Sequence, residues 1–296
     1  MPVTIIPVTT KKEMKQFICF NYALYKDSPY AVPELYTDVR DTLDPNKNAA
    51  FEFCEAQPFI ALRDGKVVGR IVAIINHKAN SVWNKKAVRF GWVDFIDDVE
   101  VVDALFATVE QWGRERGMTE AHGPLGFTDF DPEGMLVEGF DRIGTMATIY
   151  NYPYYPVHLE RMGYVKDVDW MEYLLTAPEA LPEKHARITR IVKEKYGLRV
   201  VKYTSHSKLA RERGVAIFEL LNEAYADLYG FSALSPKQIQ QYINSYFPLL
   251  DLRLVPLDGL GLDPKPTFEP FELSEPPHPV GCQPPEPITH GCHSNR

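Results

Sequence analysis

Cysteine is scarce in this sequence. Four residues in 296, Cys19, Cys54, Cys282 and Cys292, are widely spaced and form no Cys-x-x-Cys pair. That spacing matches no zinc pattern, so no metal is expected. Free cysteine is among the most buried residue types, so the thiols are expected buried and reduced. No apolar run comes near the ~20 residues of a membrane span. The opening MPVTIIPVTTKK lacks the positive n-region and apolar core of a secretion signal. The expectation is a cytoplasmic protein with no membrane partner. Positive charge is also short, with 32 Lys and Arg against 40 Asp and Glu and a net charge of −8. Nucleic-acid binding normally needs a basic face, so no nucleic-acid partner is expected. No Walker loop, no Gly-x-Gly-x-x-Gly and no Ser/His/Asp signature is found.

What is present is an ordinary globular composition, 45% hydrophobic and 24% charged. A chain of this length has room for two domains or one large one and builds a core without disulfides. Val3 to Val8 is a short β-rich run. Thr10 and Glu13 then have capping-box spacing, ahead of a helical stripe of Met14, Phe17, Ile18 and Leu24. A second helical piece begins at Pro33. PFIALR, the hairpin turn Asp64-Gly65, KVVGRIVAIIN and VRFGWVDFI read as three successive antiparallel strands. Asp97-Asp98 opens a helix with Val102, Leu105, Phe106, Val109 and Trp112 on one stripe, closed by Gly117. A strand from Glu120 to Gly123 follows.

The stretch from Ala121 to Asp169 holds six glycines, an acidic loop (Asp129, Asp131, Glu133) and Tyr150, Tyr152, Tyr154 and Tyr155. Connecting loops are usually short, so a stretch this long and this rich in glycine and tyrosine suggests a cleft. A helix over 156–162 and a strand over 165–175 complete the unit. The calcium-loop reading of Asp129 to Gly134 fails because the twelfth position is Phe140. Pro178 and Pro182 bracket a linker, and RVVKYTSHSKLARE…AYADLYGFS after it repeats TIIPVTTKKEMKQF…YALYKDSPY from the start. Ten of the 24 prolines fall after Leu250, and that segment shows no amphipathic period, which predicts disorder.

The element order, with the segments FEFCEA, GRIVAIINHKAN, FGWVDFIDD and HGPLGFTDFDPEGMLVEGFD, resembles the Gcn5-related N-acetyltransferase (GNAT) superfamily, in its bacterial tandem-domain form. The fold class implied is α+β (α/β), an acetyltransferase-like mixed, mainly antiparallel sheet flanked by helices. The expected organisation is an acetyltransferase-like domain over 1–178 and a partial second copy of helices over 183–250. A Pro-rich disordered tail over 251–296 follows, as in a gene truncated or read out of frame. An incomplete second sheet predicts possible self-association.

The resemblance implies an acyl-CoA-dependent N-acyltransferase, with acetyl-CoA as donor and a small-molecule amine as acceptor. Two of the superfamily's parts are replaced. At the pyrophosphate loop the chain reads Ile96-Asp97-Asp98-Val99-Glu100-Val101, acidic and without glycine. Such carboxylates cap a helix and repel phosphate. That leaves Phe95 and Ile96 as cofactor-binding candidates. In the Tyr-x-x-x-Gly-Phe pattern Leu159 stands where a tyrosine would protonate the leaving thiolate, and leucine cannot donate. Tyr155, one helical turn earlier, is the substitute catalytic candidate. Asp129, Asp131, Glu133, Asn151, Tyr152 and Tyr154 are the expected acceptor-side residues. The alternative is a non-catalytic ligand-binding or scaffolding module.

Overall fold

The computed structural model describes residues 2–145, 147–176, 178–260 and 288–295. In chain order the elements are β1 (Thr4–Pro7), α1 (Lys11–Leu24), α2 (Tyr36–Thr42), β2 (Cys54–Arg63), β3 (Lys66–Asn76) and α3 (His77–Val82). There follow β4 (Ala87–Phe95), α4 (Val99–Arg114), β5 (Glu120–Gly123), β6 (Met135–Leu136), α5 (Tyr154–Arg161) and β7 (Val165–Glu172). Then come α6 (Glu183–Tyr196), β8 (Leu198–Lys202), α7 (His206–Leu209), a π-turn, α8 (Val215–Ala224), α9 (Pro236–Tyr246), β9 (Pro256–Leu260) and β10 (Ile288–Asn295). The chain divides into two units.

The first unit comprises Met1–Glu172, Leu221–Gln238 and Pro287–Arg296. It carries one mixed, mainly antiparallel sheet of eight strands, ordered β1-β2-β3-β4-β5-β10-β6, with β7 also paired to β10. The capping box forms as the spacing suggested: the Thr10 hydroxyl accepts from Glu13 N–H, and the Glu13 carboxylate accepts from Thr10 N–H. Asp64 and Gly65, with φ of 53° and 72°, turn β2 into β3, the positive-φ pair that a two-residue hairpin requires. Alternation along β3 covers both faces of the sheet. Ile71, Ala73 and Ile75 pack toward Val101, Leu105 and Val109 of α4. Val72 and Ile74 pack toward Phe17 and Ile18 of α1.

Two irregularities sit beside each other at the sheet centre. β4 and β5 run parallel from Ala87↔Glu120 to Arg89↔His122, the one parallel pair among the described residues. Gly123–Pro124 then takes the chain off that ladder, because proline has no N–H to continue it. In the antiparallel β3–β4 pair the register steps two residues on β3, Arg70 to Val72, against three on β4, Asp94 to Gly91. The extra residue makes a bulge, and Trp92 within it adopts φ 42°. Bulges re-aim side chains, and here Trp92, Val93 and Asp94 all line one cleft.

The second unit comprises Tyr173–Leu220 and Ile239–Glu286. In it β8 pairs antiparallel with β9, and α6 ends on Gly197 in the left-handed region at φ 63°. Phe218 stacks on Tyr242 and Phe247, with ring centroids 6.0 and 6.2 Å apart.

The fold class matches the sequence reading, and through β7 the structure adds to the expected order α3, between β3 and β4, and the short β6. The tail differs from it. The segment 251–296 was expected to be disordered and the second copy to consist of helices. Instead, 256–260 pairs with β8, and 288–295 runs antiparallel to β5, β6 and β7. Residues 261–287 lie outside the described residues. Backbone pairing does not need amphipathic sequence, so a composition argument misses a strand inserted between existing edges.

Gly91 tests the central packing. A Cβ there would meet the Leu125 carbonyl oxygen at 2.5 Å, and backbone on both sides cannot give way. Gly91→Ala is expected to lower the unfolding free energy by about 2 kcal/mol, read from the urea midpoint. An unchanged midpoint contradicts the packing described.

Candidate active site

Arg70 interrupts the apolar run of β3 on the α1 face and is 1% exposed. A buried charge needs counter-charges and hydrogen bonds. The bulge supplies one, for Arg70 Nε donates to Asp94 Oδ2 at 2.6 Å. The chain between α1 and α2 supplies the other, for Nη2 donates to Glu34 Oε2 at 2.7 Å. The guanidinium also lies over the Phe17 ring, 5.1 Å from its centroid. Nη1 is buried and has no partner among the described residues. Burial alone would lower the Arg70 pKa, but Glu34 and Asp94 outweigh it and raise the value.

Asp94 is saturated. Its Oδ2 also accepts from Asn21 Nδ2 at 3.1 Å. Its Oδ1 lies 2.9 Å from the Tyr25 hydroxyl and 3.1 Å from the Tyr155 hydroxyl. The two hydroxyls are 2.8 Å apart, and Tyr155 Oη accepts from Phe95 N–H at 3.2 Å. Burial, then the Asp94 charge, pushes both tyrosines well above their usual range. Both therefore stay protonated.

Glu34 is the open member of the triad, with a side chain 27% exposed. Its pKa is raised, first by burial, with Arg70 opposing and Asp94 reinforcing. Arg70, Asp94 and Glu34 line a cleft of about 570 Å³ whose lining also includes Tyr22, Tyr25, Tyr36, Trp92, Tyr150 and Tyr155.

The residues expected to form the site are only partly gathered here. Tyr155 and Asn151 line the cleft. Asn151 spends its amide on the loop, bonding Leu136 N–H at 2.7 Å and Leu136 C=O at 3.0 Å. The three acidic residues do not line the cleft, although Pro132 and Gly134 between and beside them do. Asp131 turns back on its own loop and accepts from Phe127 and Thr128 N–H groups at 2.8 and 3.1 Å. Burial raises its pKa to about 6. Glu133 is pushed far up by burial and by its neighbour Asp129, so one proton stays on that pair. Asp129 also accepts from Ser232 N–H at 3.3 Å. Asp131 and Asp129 thus bond to backbone N–H groups, and all three carboxylates lie outside the cleft lining.

Tyr152 and Tyr154 are likewise outside the lining. Their hydroxyls donate to Leu24 C=O at 3.3 Å and to Phe95 C=O at 2.7 Å. Phe95 and Ile96, the expected cofactor contacts, have their N–H groups paired internally, Phe95 to Tyr155 Oη and Ile96 to Val68 C=O at 3.1 Å. Leu159 is fully buried in the core.

The N-terminus of α4 does not fit a pyrophosphate. Asp98 is its cap and accepts from Val101 N–H at 3.1 Å. Arg63 neutralises that carboxylate through two bonds of 2.7 and 3.0 Å and reaches Glu100 at 2.8 Å. The anion site is thus filled by the chain's own side chain. Among the described residues no group of three or more His, Cys, Asp or Glu is placed to hold a metal ion. No described helix is long and apolar enough to cross a membrane.

The sequence reading missed Arg70, Asp94, Glu34 and Tyr25. The signal for the first two was present: an arginine within GRIVAIIN and an aspartate within WVDFI are charges inside strands otherwise buried on both faces.

No known family profile matches the chain. It is 30% identical over 255 residues to the bacterial ceramide synthase of Caulobacter vibrioides (strain NA1000 / CB15N), covering 86% of this chain and 65% of that protein. It is also 30% identical over 226 residues to Protein YghO of Escherichia coli (strain K12), covering 75% of this chain and 56% of that one. The chain thus spans less than two thirds of either relative's length. Among solved structures, a tandem GNAT protein from the clavulanic acid biosynthesis pathway aligns with 82% of this chain and 65% of its own, at TM-score 0.47 and 14% identity. An acetyltransferase from Streptococcus agalactiae 2603 aligns with 62% of this chain at TM-score 0.36 and 14% identity.

The α4 cap gives a pH test. The hydrogen bonds from Arg63 hold Asp98 at about 2, below its unfolded value, so its stabilisation is full above about pH 4. It is lost as pH falls through 2. Asparagine caps a helix as well as aspartate, so Asp98→Asn isolates the charge. The stability gap between wild type and this variant, from urea unfolding, is expected to be constant above pH 4 and to close between 4 and 2. A gap that persists at pH 2 contradicts the ion pair.

Proposed function

We propose that the chain is an N-acyltransferase, taking an acyl group from a coenzyme A thioester, with acetyl-CoA the simplest donor, and passing it to a small amine held in the cleft. The observation that carries this reading is the charge of the cleft floor. Glu34 and Asp94 together outnumber Arg70, so this cluster carries one excess negative charge and suits a cation, while Lys26, the other charged lining residue, is exposed and pairs with Asp27. Aromatic walls favour the same ligand, because ring faces attract ammonium groups. The similarity to the bacterial ceramide synthase supports the reaction type, since a ceramide is an amide.

One observation favours a second reading. With α4 capped by Asp98 and Arg63, the chain has no phosphate cradle at that helix. It then serves as the acceptor-binding half of a larger protein, a non-catalytic module by itself.

The test is release of free thiol, with mass detection of the amide, from mixtures of acyl-CoA donors of different chain length and a panel of primary amines. Amide formation is expected for at least one pair. It is expected to fall about 10²-fold or more in Tyr25→Phe, through loss of a buried hydrogen bond that fixes Asp94. Amine binding without thiol release for any donor favours the second reading; absence of both contradicts the proposal.

A further inference from the structure

Every residue of α6, from Glu183 to Tyr196, is exposed, yet the helix is amphipathic. Ile188, Ile191, Val192 and Tyr196 follow the i, i+3, i+4, i+8 spacing of one helical face. Ile188 is 44% exposed and Ile191 51%. Such a stripe normally faces a core, but among the described residues nothing buries it. Exposed apolar side chains also flank the helix in sequence, Leu175 and Leu181 before it and Val200 and Val201 of β8 after it. Apolar exposure this concentrated marks an interaction surface.

The charges of the helix indicate the partner. The chain as a whole carries −8. Within α6, Lys184, Arg187, Arg190, Lys193 and Lys195 stand against Glu183 and Glu194, a net of +3. None of these five cations makes an ion pair or a side-chain hydrogen bond among the described residues. Arg199 and Lys202 of β8 are exposed too and extend the same sign.

Two of the cations distinguish a protein core from a bilayer. Lys184, Ile188, Ile191 and Lys195 are spaced by four, three and four residues, so they fall on one line along the helix. The apolar stripe therefore has an ammonium at each end. A protein core laid over it would bury both ammoniums, which is unfavourable without counter-charges. At a headgroup boundary the lysine stems lie along the apolar layer and the ammoniums rise to the lipid phosphates.

We propose that α6 is an in-plane anchor for an anionic lipid surface. Ile188, Ile191, Val192 and Tyr196 enter the boundary between headgroups and acyl chains. Lys184 and Lys195 meet lipid phosphates at the two ends of the stripe, and Arg187 and Lys193 flank it. Arg190 lies on the opposite side of the helix and faces water. The expectation of no membrane partner rests on spanning segments, which a helix lying in the surface does not need. The anchor uses no residue of the cleft, so it stands apart from the N-acyltransferase reading.

Flotation of the full chain with vesicles of phosphatidylcholine, with and without phosphatidylglycerol, is the test. The wild type is expected to float with the anionic vesicles and to bind phosphatidylcholine alone about tenfold more weakly or worse. Binding to the anionic vesicles is expected to fall as salt is added. The double variant Lys184→Gln, Lys195→Gln removes the two end charges and is expected to bind about tenfold more weakly. Arg190→Gln is expected to lose less than that pair. Ile188→Ser with Ile191→Ser keeps every charge and removes the apolar stripe, and is expected to bind at least about tenfold more weakly. All these side chains are exposed, so the urea midpoint is expected to stay unchanged, which separates lost binding from lost folding.

No flotation of the wild type with anionic vesicles overturns the proposal, as does equal flotation with phosphatidylcholine alone. Unchanged binding in either double variant overturns it as well. Absent flotation together with a dimer in light scattering overturns it in favour of a contact between two copies of the chain.

Discussion

A guanidinium shut away from water must find its counter-charges inside the protein, and Arg70 finds Asp94 at 2.6 Å and Glu34 at 2.7 Å. Removing one partner of a buried pair costs about 3–5 kcal/mol, so three segments distant in sequence are tied to this point. The bulge in β4 presents Asp94, the middle of β3 presents Arg70, and the chain between α1 and α2 presents Glu34. Two further elements lock on through the same carboxylate, α1 by Asn21 and by Tyr25 at its C-terminal cap, and α5 by Tyr155. The cleft is the space left above this knot.

The knot also explains why the tyrosines of the long loop matter without all being chemical. Tyr154 and Tyr155 stack against Phe95, at 6.0 and 4.1 Å between ring centroids, and tie α5 to the end of β4. Tyr152 stacks on Tyr154 and leans on Tyr25. The aromatic run is a brace that fixes Asp94, and through it Arg70.

Most of the sheet could be read from local patterns. Thr10 and Glu13 announced α1, Asp64-Gly65 announced the β2–β3 hairpin, and Asp98 announced α4 because short-range hydrogen bonds act over three residues. The site was less legible because its geometry depends on a register slip. Nothing in FGWVDFI specifies that the strand gains a residue at Trp92, and without the bulge strict alternation would send Asp94 elsewhere. The acidic loop misled for the opposite reason. Its charges looked available, but Gly126 leaves room for Asp131 to fold back, and burial with the neighbouring Asp129 keeps Glu133 protonated. β10 pairs through its backbone, which composition does not encode.

The account rests on the Arg70, Asp94 and Glu34 cluster as the anchor of a cleft that takes a cationic amine. Calorimetric titration of the wild type and of Glu34→Gln with a panel of primary amines tests it most directly. The expected result is binding by the wild type that weakens about tenfold or more in the variant, through loss of one carboxylate. Equal binding by the two proteins, or none by the wild type, would contradict the account.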